Sequence, residues 1–176
     1  MEARETARGN RDETWVKRVV VAADGSPASI KGLEQVADLA DRVGARVIVV
    51  HVRHLPAAVM AGPGFDAQSV QDALNELESQ VRRQATRILG GTGVEWEFVV
   101  RDGGAGEEIL KVVEEAAADL VVVGSNRHSS LHNLLLGSTA AYLTAHSPVP
   151  VLVMRSPARR GGRAPGAGQQ GNIASR

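Results

Sequence analysis

Val19-Val20-Val21-Ala22-Ala23-Asp24-Gly25-Ser26-Pro27 holds a strand, a turn and the start of a helix. The valines make a short, continuous apolar run rich in β-branched residues, the pattern of a strand buried on both faces. Asp24-Gly25 ends that run. Ser26 stands where an N-cap acceptor belongs, and Pro27 takes the first helical position, where a missing N–H costs nothing. Ile30, Leu33, Val36, Ala37, Ala40 and Val43 then recur at helical spacing, and Gly44 sits where a left-handed C-terminal residue fits. A doubly buried strand running straight into an amphipathic helix is the opening unit of a parallel α/β sheet.

The rest of the chain repeats this unit. Residues 47–52 read as a second strand, and a connection containing Pro and Gly covers about 53–65. Val70, Leu74, Leu77, Val81, Ala85 and Ile88 predict a long helix stopped by Gly90-Gly91. Val94, Trp96, Phe98 and Val100 alternate with Glu95, Glu97 and Val99, which predicts a strand with one more exposed face near a sheet edge. A shorter helix over about 105–118 carries Glu107 and Glu108 in its first turn, where the helix dipole favours anions. Residues 120–123 form a fourth buried strand, 124–130 a loop, about 131–146 a helix, and 151–154 the last strand. The expected fold is α/β: a single, doubly wound, open, Rossmann-like sheet of five parallel strands with helices on both faces. In such sheets ligands bind beyond the carboxyl ends of the strands, where strand order reverses. The places to look are Asp24-Gly25-Ser26, His51-Val52-Arg53 and Gly124 onward.

Composition narrows the function classes. The 176 residues carry 20 basic and 20 acidic side chains, yet from Arg155 onward there are five arginines and no acid. The body up to Met154 is therefore net negative, which argues against sequence-specific DNA binding by a basic face. The chain has no cysteine, so a thiol nucleophile, a disulfide framework and Cys-based metal sites are excluded. Only 3% of residues are aromatic, so the core must be aliphatic. The first residues lack the apolar stretch of a secretory signal and no run approaches the length of a membrane span, so a cytoplasmic protein is expected. Residues 1–14 read as a flexible arm, 15–155 as one folded domain, and 156–176 as a disordered basic tail.

The richest segment runs from Gly124 to Thr139. A buried strand delivers a glycine at its tip, a loop of small polar residues follows, and Gly137-Ser138-Thr139 offers a second patch of accessible backbone. Exposed N–H groups and small hydroxyl residues can cradle a phosphate. Equally, Gly124 can merely end a strand and Gly137-Ser138 can permit close helix packing. Other motifs fall away. No Gly-x4-Gly-Lys-Ser/Thr loop or Gly-x-Ser-x-Gly elbow occurs, and Ile109 spoils a dinucleotide fingerprint at Gly104-Ala105-Gly106. His128 and His132 lie four apart without a carboxylate nearby, a poor metal pair. His51 fits a hydrogen-bonded core residue better than a general base, and His146 fits a helix C-terminus.

With these segments in order, the chain resembles the universal stress protein family over residues 15–155. The resemblance rests on Val19 through Ser26, on Ala118-Asp119-Leu120-Val121-Val122-Val123-Gly124-Ser125, and on Leu134 through Val153. Members that bind ATP share a Gly-x2-Gly-x9-Gly-Ser/Thr stretch. Here Gly124, the nine residues 128–136 and Gly137-Ser138 match it, while Arg127 replaces the second glycine. The resemblance implies an adenine nucleotide alpha hydrolase-like fold and ATP, with Mg²⁺ as companion ion. It implies Ala23 and Asp24 lining the nucleotide pocket, Val52 near the adenine, and Gly124, Asn126, Gly137, Ser138 and Thr139 along ribose and phosphates. Arg127 would either obstruct the phosphates, because its Cβ denies the backbone a glycine's approach, or reach them with its guanidinium. Asp24 also fits a simple turn-former, and Val52 a core residue. The family implies a homodimer through Val151–Met154 and a stress-response or regulatory role. The alternative is a nucleotide-independent dimeric interaction module. No dedicated catalytic base is evident, so no enzyme is expected beyond slow incidental ATP hydrolysis.

Overall fold

The computed structural model describes residues 14–54, 66–125 and 136–155. Its elements alternate: β1 (Arg18–Ala22), α1 (Pro27–Val43), β2 (Arg46–Arg53), α2 (Ala67–Leu89), β3 (Trp96–Asp102), α3 (Ala105–Glu115), β4 (Leu120–Ser125), α4 (Ser138–His146) and β5 (Val151–Arg155). All four strand pairings are parallel, in the order β3-β2-β1-β4-β5. The chain winds outward from β1 to β3, then returns to the other side of β1 with β4 and β5. Strand order reverses between β1 and β4, which makes their carboxyl ends the switch point. β3, with its alternating acids, is one edge, and β5 is the other.

Neighbouring valines of each central strand face opposite ways, and both faces are covered. Val19, Val21, Val47, Val49 and Val122 pack against Leu33, Val36 and Ala40 of α1 and Val81, Ala85 and Leu89 of α2. Val20, Ile48, Val50, Val121 and Val123 pack against Ile109 and Val112 of α3 and Ala140 and Leu143 of α4. The local signals behave as their chemistry dictates. Ser26 caps α1 by accepting from the Ser29 N–H at 3.2 Å, and Gly44 ends the helix at φ 73°. Asp66 caps α2 by accepting from the N–H groups of Gln68 and Ser69. These bonds, led by that from the Ser69 hydroxyl, hold the Asp66 carboxyl below the usual carboxylate range.

Two boundaries differ from expectation. The third helix ends at Glu115, because Ala117 turns at φ 44° and carries Ala118 into the core. The last helix, expected from about Leu131, has its described start at Ser138: Leu136 lies outside the helix, and Gly137 is the N-cap at φ −60°, ψ 156°. Gly137-Ser138-Thr139 therefore opens the helix instead of lying within it. Residues 131–135 lie outside the described residues, as do His128, His132, the arm up to Glu13 and the tail from Ser156. Among the described residues no helix is long and apolar enough to cross a membrane.

Candidate functional site

A cleft of about 340 Å³ opens over the carboxyl ends of β2, β1 and β4, on the face covered by α3 and α4. Ala22, Ala23 and Asp24 border it from β1, Val50, Val52 and His54 from β2, and Val123 and Gly124 from β4. Ala105 and Ile109 of α3 wall one side, and Gly137, Ser138, Thr139 and Ala140 at the start of α4 wall the other. Seven of the nine residues implied by the resemblance thus meet around this space, although Ala23 and Thr139 stand 116 positions apart. Asn126 and Arg127 lie outside the described residues.

The β1 tip is built from local bonds. Asp24 accepts from the Ser26 N–H at 2.9 Å, and Gly25 turns at φ 79°, so the turn-former reading of Asp24 is met while the residue also borders the cleft. The Ala23 N–H donates to the Val50 carbonyl at 2.8 Å, and the Ala23 carbonyl accepts from His51 Nδ1 at 2.8 Å. His51 is 2% exposed, and its Nε2 has no hydrogen-bond partner among the described residues. It packs at 6.4 Å from the Phe98 ring, on the α1/α2 side of the sheet, and so behaves as a hydrogen-bonded core residue.

Gly124 has a packing reason to be glycine. A Cβ there would lie 2.9 Å from Ala28 Cβ, 2.9 Å from Ser29 N and 3.0 Å from Ala28 C, against the first turn of α1. Two residues past Val123 along β4, Ser125 is 5% exposed with its hydroxyl unpartnered among the described residues. Both α3 and α4 start without a side-chain cap, at Gly104 and Gly137. Their first N–H groups carry the positive end of the helix dipole. Both helix starts border the cleft, α4 through residues 137–140 and α3 through Ala105, and Ile109, Val50 and Val52 add apolar side chains on the β2 side.

Reading the sequence missed Ser29, His54, Ala105 and Ile109. A signal existed for His54, which sits two residues beyond Val52 and so on the same face of the chain's extension. His54 Nδ1 lies 3.0 Å from the Gly103 carbonyl, and the Gly103 N–H donates to the Arg53 carbonyl at 3.2 Å, clasping the end of β2 to the β3–α3 turn. Behind this clasp Arg53 makes two bonds to Asp102, at 2.8 and 2.7 Å, and lies 3.6 Å from Glu78. The carboxylate bond raises the Arg53 guanidinium above its usual value, and the same bond lowers Asp102. Among the described residues no cluster of three His, Asp or Glu side chains suits a metal ion.

The sequence pattern described as the universal stress protein family matches residues 16–155. A universal stress protein of Thermus aquaticus is 31% identical over 140 residues, covering 79% of this chain and 98% of that protein. A universal stress protein family protein from Arabidopsis thaliana, solved with AMP bound, superposes with a TM-score of 0.61 at 17% identity, over 81% of this chain and 93% of that one. A universal stress protein solved in complex with cAMP gives a TM-score of 0.58 at 21% identity, over 81% and 98%.

Proposed function

The chain belongs to the universal stress protein family, and from that premise we propose that its cleft holds an adenine nucleotide, ATP with Mg²⁺ first, in a regulatory or stress-response role. The carrying observation is the polarity of the cleft. Val50, Val52 and Ile109 give its β2 side apolar walls for a purine ring, and Gly137, Ser138 and Thr139 at the start of α4, which has no side-chain cap, give its β4 side small residues and the positive end of a helix dipole for a phosphate. β2 and β4 flank β1, so the two ends stand about 10 Å apart, two strand spacings. The Ser125 hydroxyl, unpartnered among the described residues, lies at the β4 tip next to the cleft-lining Gly124. Two structural neighbours hold AMP and cAMP, which supports an adenine nucleotide without choosing among its forms. Mg²⁺ would arrive on the phosphates, since the described lining offers no metal-ligand cluster. The nucleotide acts as a ligand, with hydrolysis at most slow and incidental.

Calorimetric titration with Mg²⁺–ATP and with AMP tests this, using Gly137→Trp as the blocked control. The expected result is a saturable signal that the control loses; no heat up to about millimolar nucleotide overturns the proposal.

A second reading, the nucleotide-independent dimeric module, draws on two observations. Gly124 is explained by helix packing alone, and β5 is an edge strand with Leu152 42% exposed. Pairing of Val151–Met154 with a second copy would cover that edge under either reading. Sedimentation of the protein and of Leu152→Asp tests it: a dimer lost in the variant supports pairing, and a monomeric parent protein sinks it.

A further inference from the structure

We infer that His54 reads the base of the bound nucleotide, its Nε2 accepting a hydrogen bond from the exocyclic amine of adenine. The inference rests on the cleft being a nucleotide site and adds what selects the base. His54 Nδ1 lies 3.0 Å from the Gly103 carbonyl. A carbonyl only accepts, so Nδ1 carries the hydrogen, and in the neutral ring Nε2 is a bare acceptor. The Arg53–Gly103 backbone bond beside it holds the two segments together, so the ring is braced from its far side.

Its position selects the base end. His54 continues the face of Val50 and Val52, opposite Ala105 and Ile109, across the width of β1 from the start of α4. The apolar residues would take the faces of the purine, and the imidazole would meet its edge. Adenine presents an N–H donor at its sixth position, whereas hypoxanthine and guanine present a carbonyl. A neutral Nε2 attracts the first and sets lone pair against lone pair with the second.

The test is calorimetric titration of the full chain with AMP and IMP at about pH 8, repeated on His54→Phe and His54→Ala. AMP is expected to bind about tenfold more tightly than IMP. Both variants should bind the two nucleotides about equally, and the alanine form covers the case in which a phenyl ring fills the cleft. Thermal melts confirm that each variant folds. Equal binding of AMP and IMP by the parent protein overturns the inference, as does a preference that survives in both variants. Absence of binding by either nucleotide overturns instead the reading of the cleft on which it rests.

Discussion

Replacing Gly124 by alanine adds one methyl group at the most closely packed point of the site. The new Cβ would meet Ala28 Cβ and Ser29 N at 2.9 Å and Ala28 C at 3.0 Å. Two of these atoms are backbone of the first turn of α1, so no side-chain rotation relieves the contact. Either β4 or the start of α1 must move by several tenths of an ångström. Overpacking of this kind costs about 1–3 kcal/mol. In a domain of this size that lowers Tm by roughly 3–10 °C. Urea and thermal unfolding followed by circular dichroism measure it, with nucleotide titration run beside them. The matched control is Gly137→Ala, at an N-cap whose φ of −60° any residue adopts, expected to cost under about 1 kcal/mol through the weaker N-cap preference of alanine. If Gly124→Ala melts with the parent protein but fails to bind nucleotide, the packing argument is wrong and the glycine serves the ligand directly.

At Gly106 two effects oppose each other. Alanine gains at most about 1 kcal/mol over glycine in a helix, less at this second helical position, but a Cβ there would overlap the ring of Tyr142, so Gly106→Ala should destabilise by about 1 kcal/mol. In a Tyr142→Ser background the sign should reverse, which a double-mutant cycle reads directly. Ser26→Ala removes the acceptor that caps α1 and should cost about 1 kcal/mol in urea unfolding. The Asp102 carboxyl, lowered by the Arg53 bond, stabilises the fold above the ordinary aspartate range, and that contribution is lost as pH falls through it. The pair is largely exposed, so Asp102→Asn should cost under about 1 kcal/mol at neutral pH. Chemical unfolding curves of the two proteins should converge as pH falls below the ordinary aspartate range and through the lowered Asp102 value, where both side chains are neutral.

The site was partly legible in advance because its chain segments follow strands. Asp24, Val52 and Gly124 sit at strand tips, and tips of a parallel sheet face one side. Ser29, His54, Ala105 and Ile109 were not found, since each borders the cleft through partners far along the chain. Ile109 shows the difficulty. As a sequence letter it argued against a dinucleotide fingerprint; in the fold it is an apolar wall of the cleft. Gly124 shows the converse, because a glycine that matches a binding motif is required by α1 whether or not a ligand comes.

What the amino-acid sequence determined by itself was everything governed by short-range physics. The β-branched runs specified doubly buried strands, the 3.6-residue spacing specified helices, and Ser26, Gly44 and Gly90 specified where two of them begin or stop. Alternation of the two element types then required a parallel sheet with two covered faces. Tertiary structure alone decided that β1 lies between β2 and β4, and so which tips converge on one cleft. It also decided that α4 starts at Ser138 with Gly137 as its N-cap beside the cleft, and that His54 Nδ1 is held by the Gly103 carbonyl. Strand order comes from how helices of given length and shape close over a shared sheet. That is a property of contacts between residues tens of positions apart, which no local periodicity encodes.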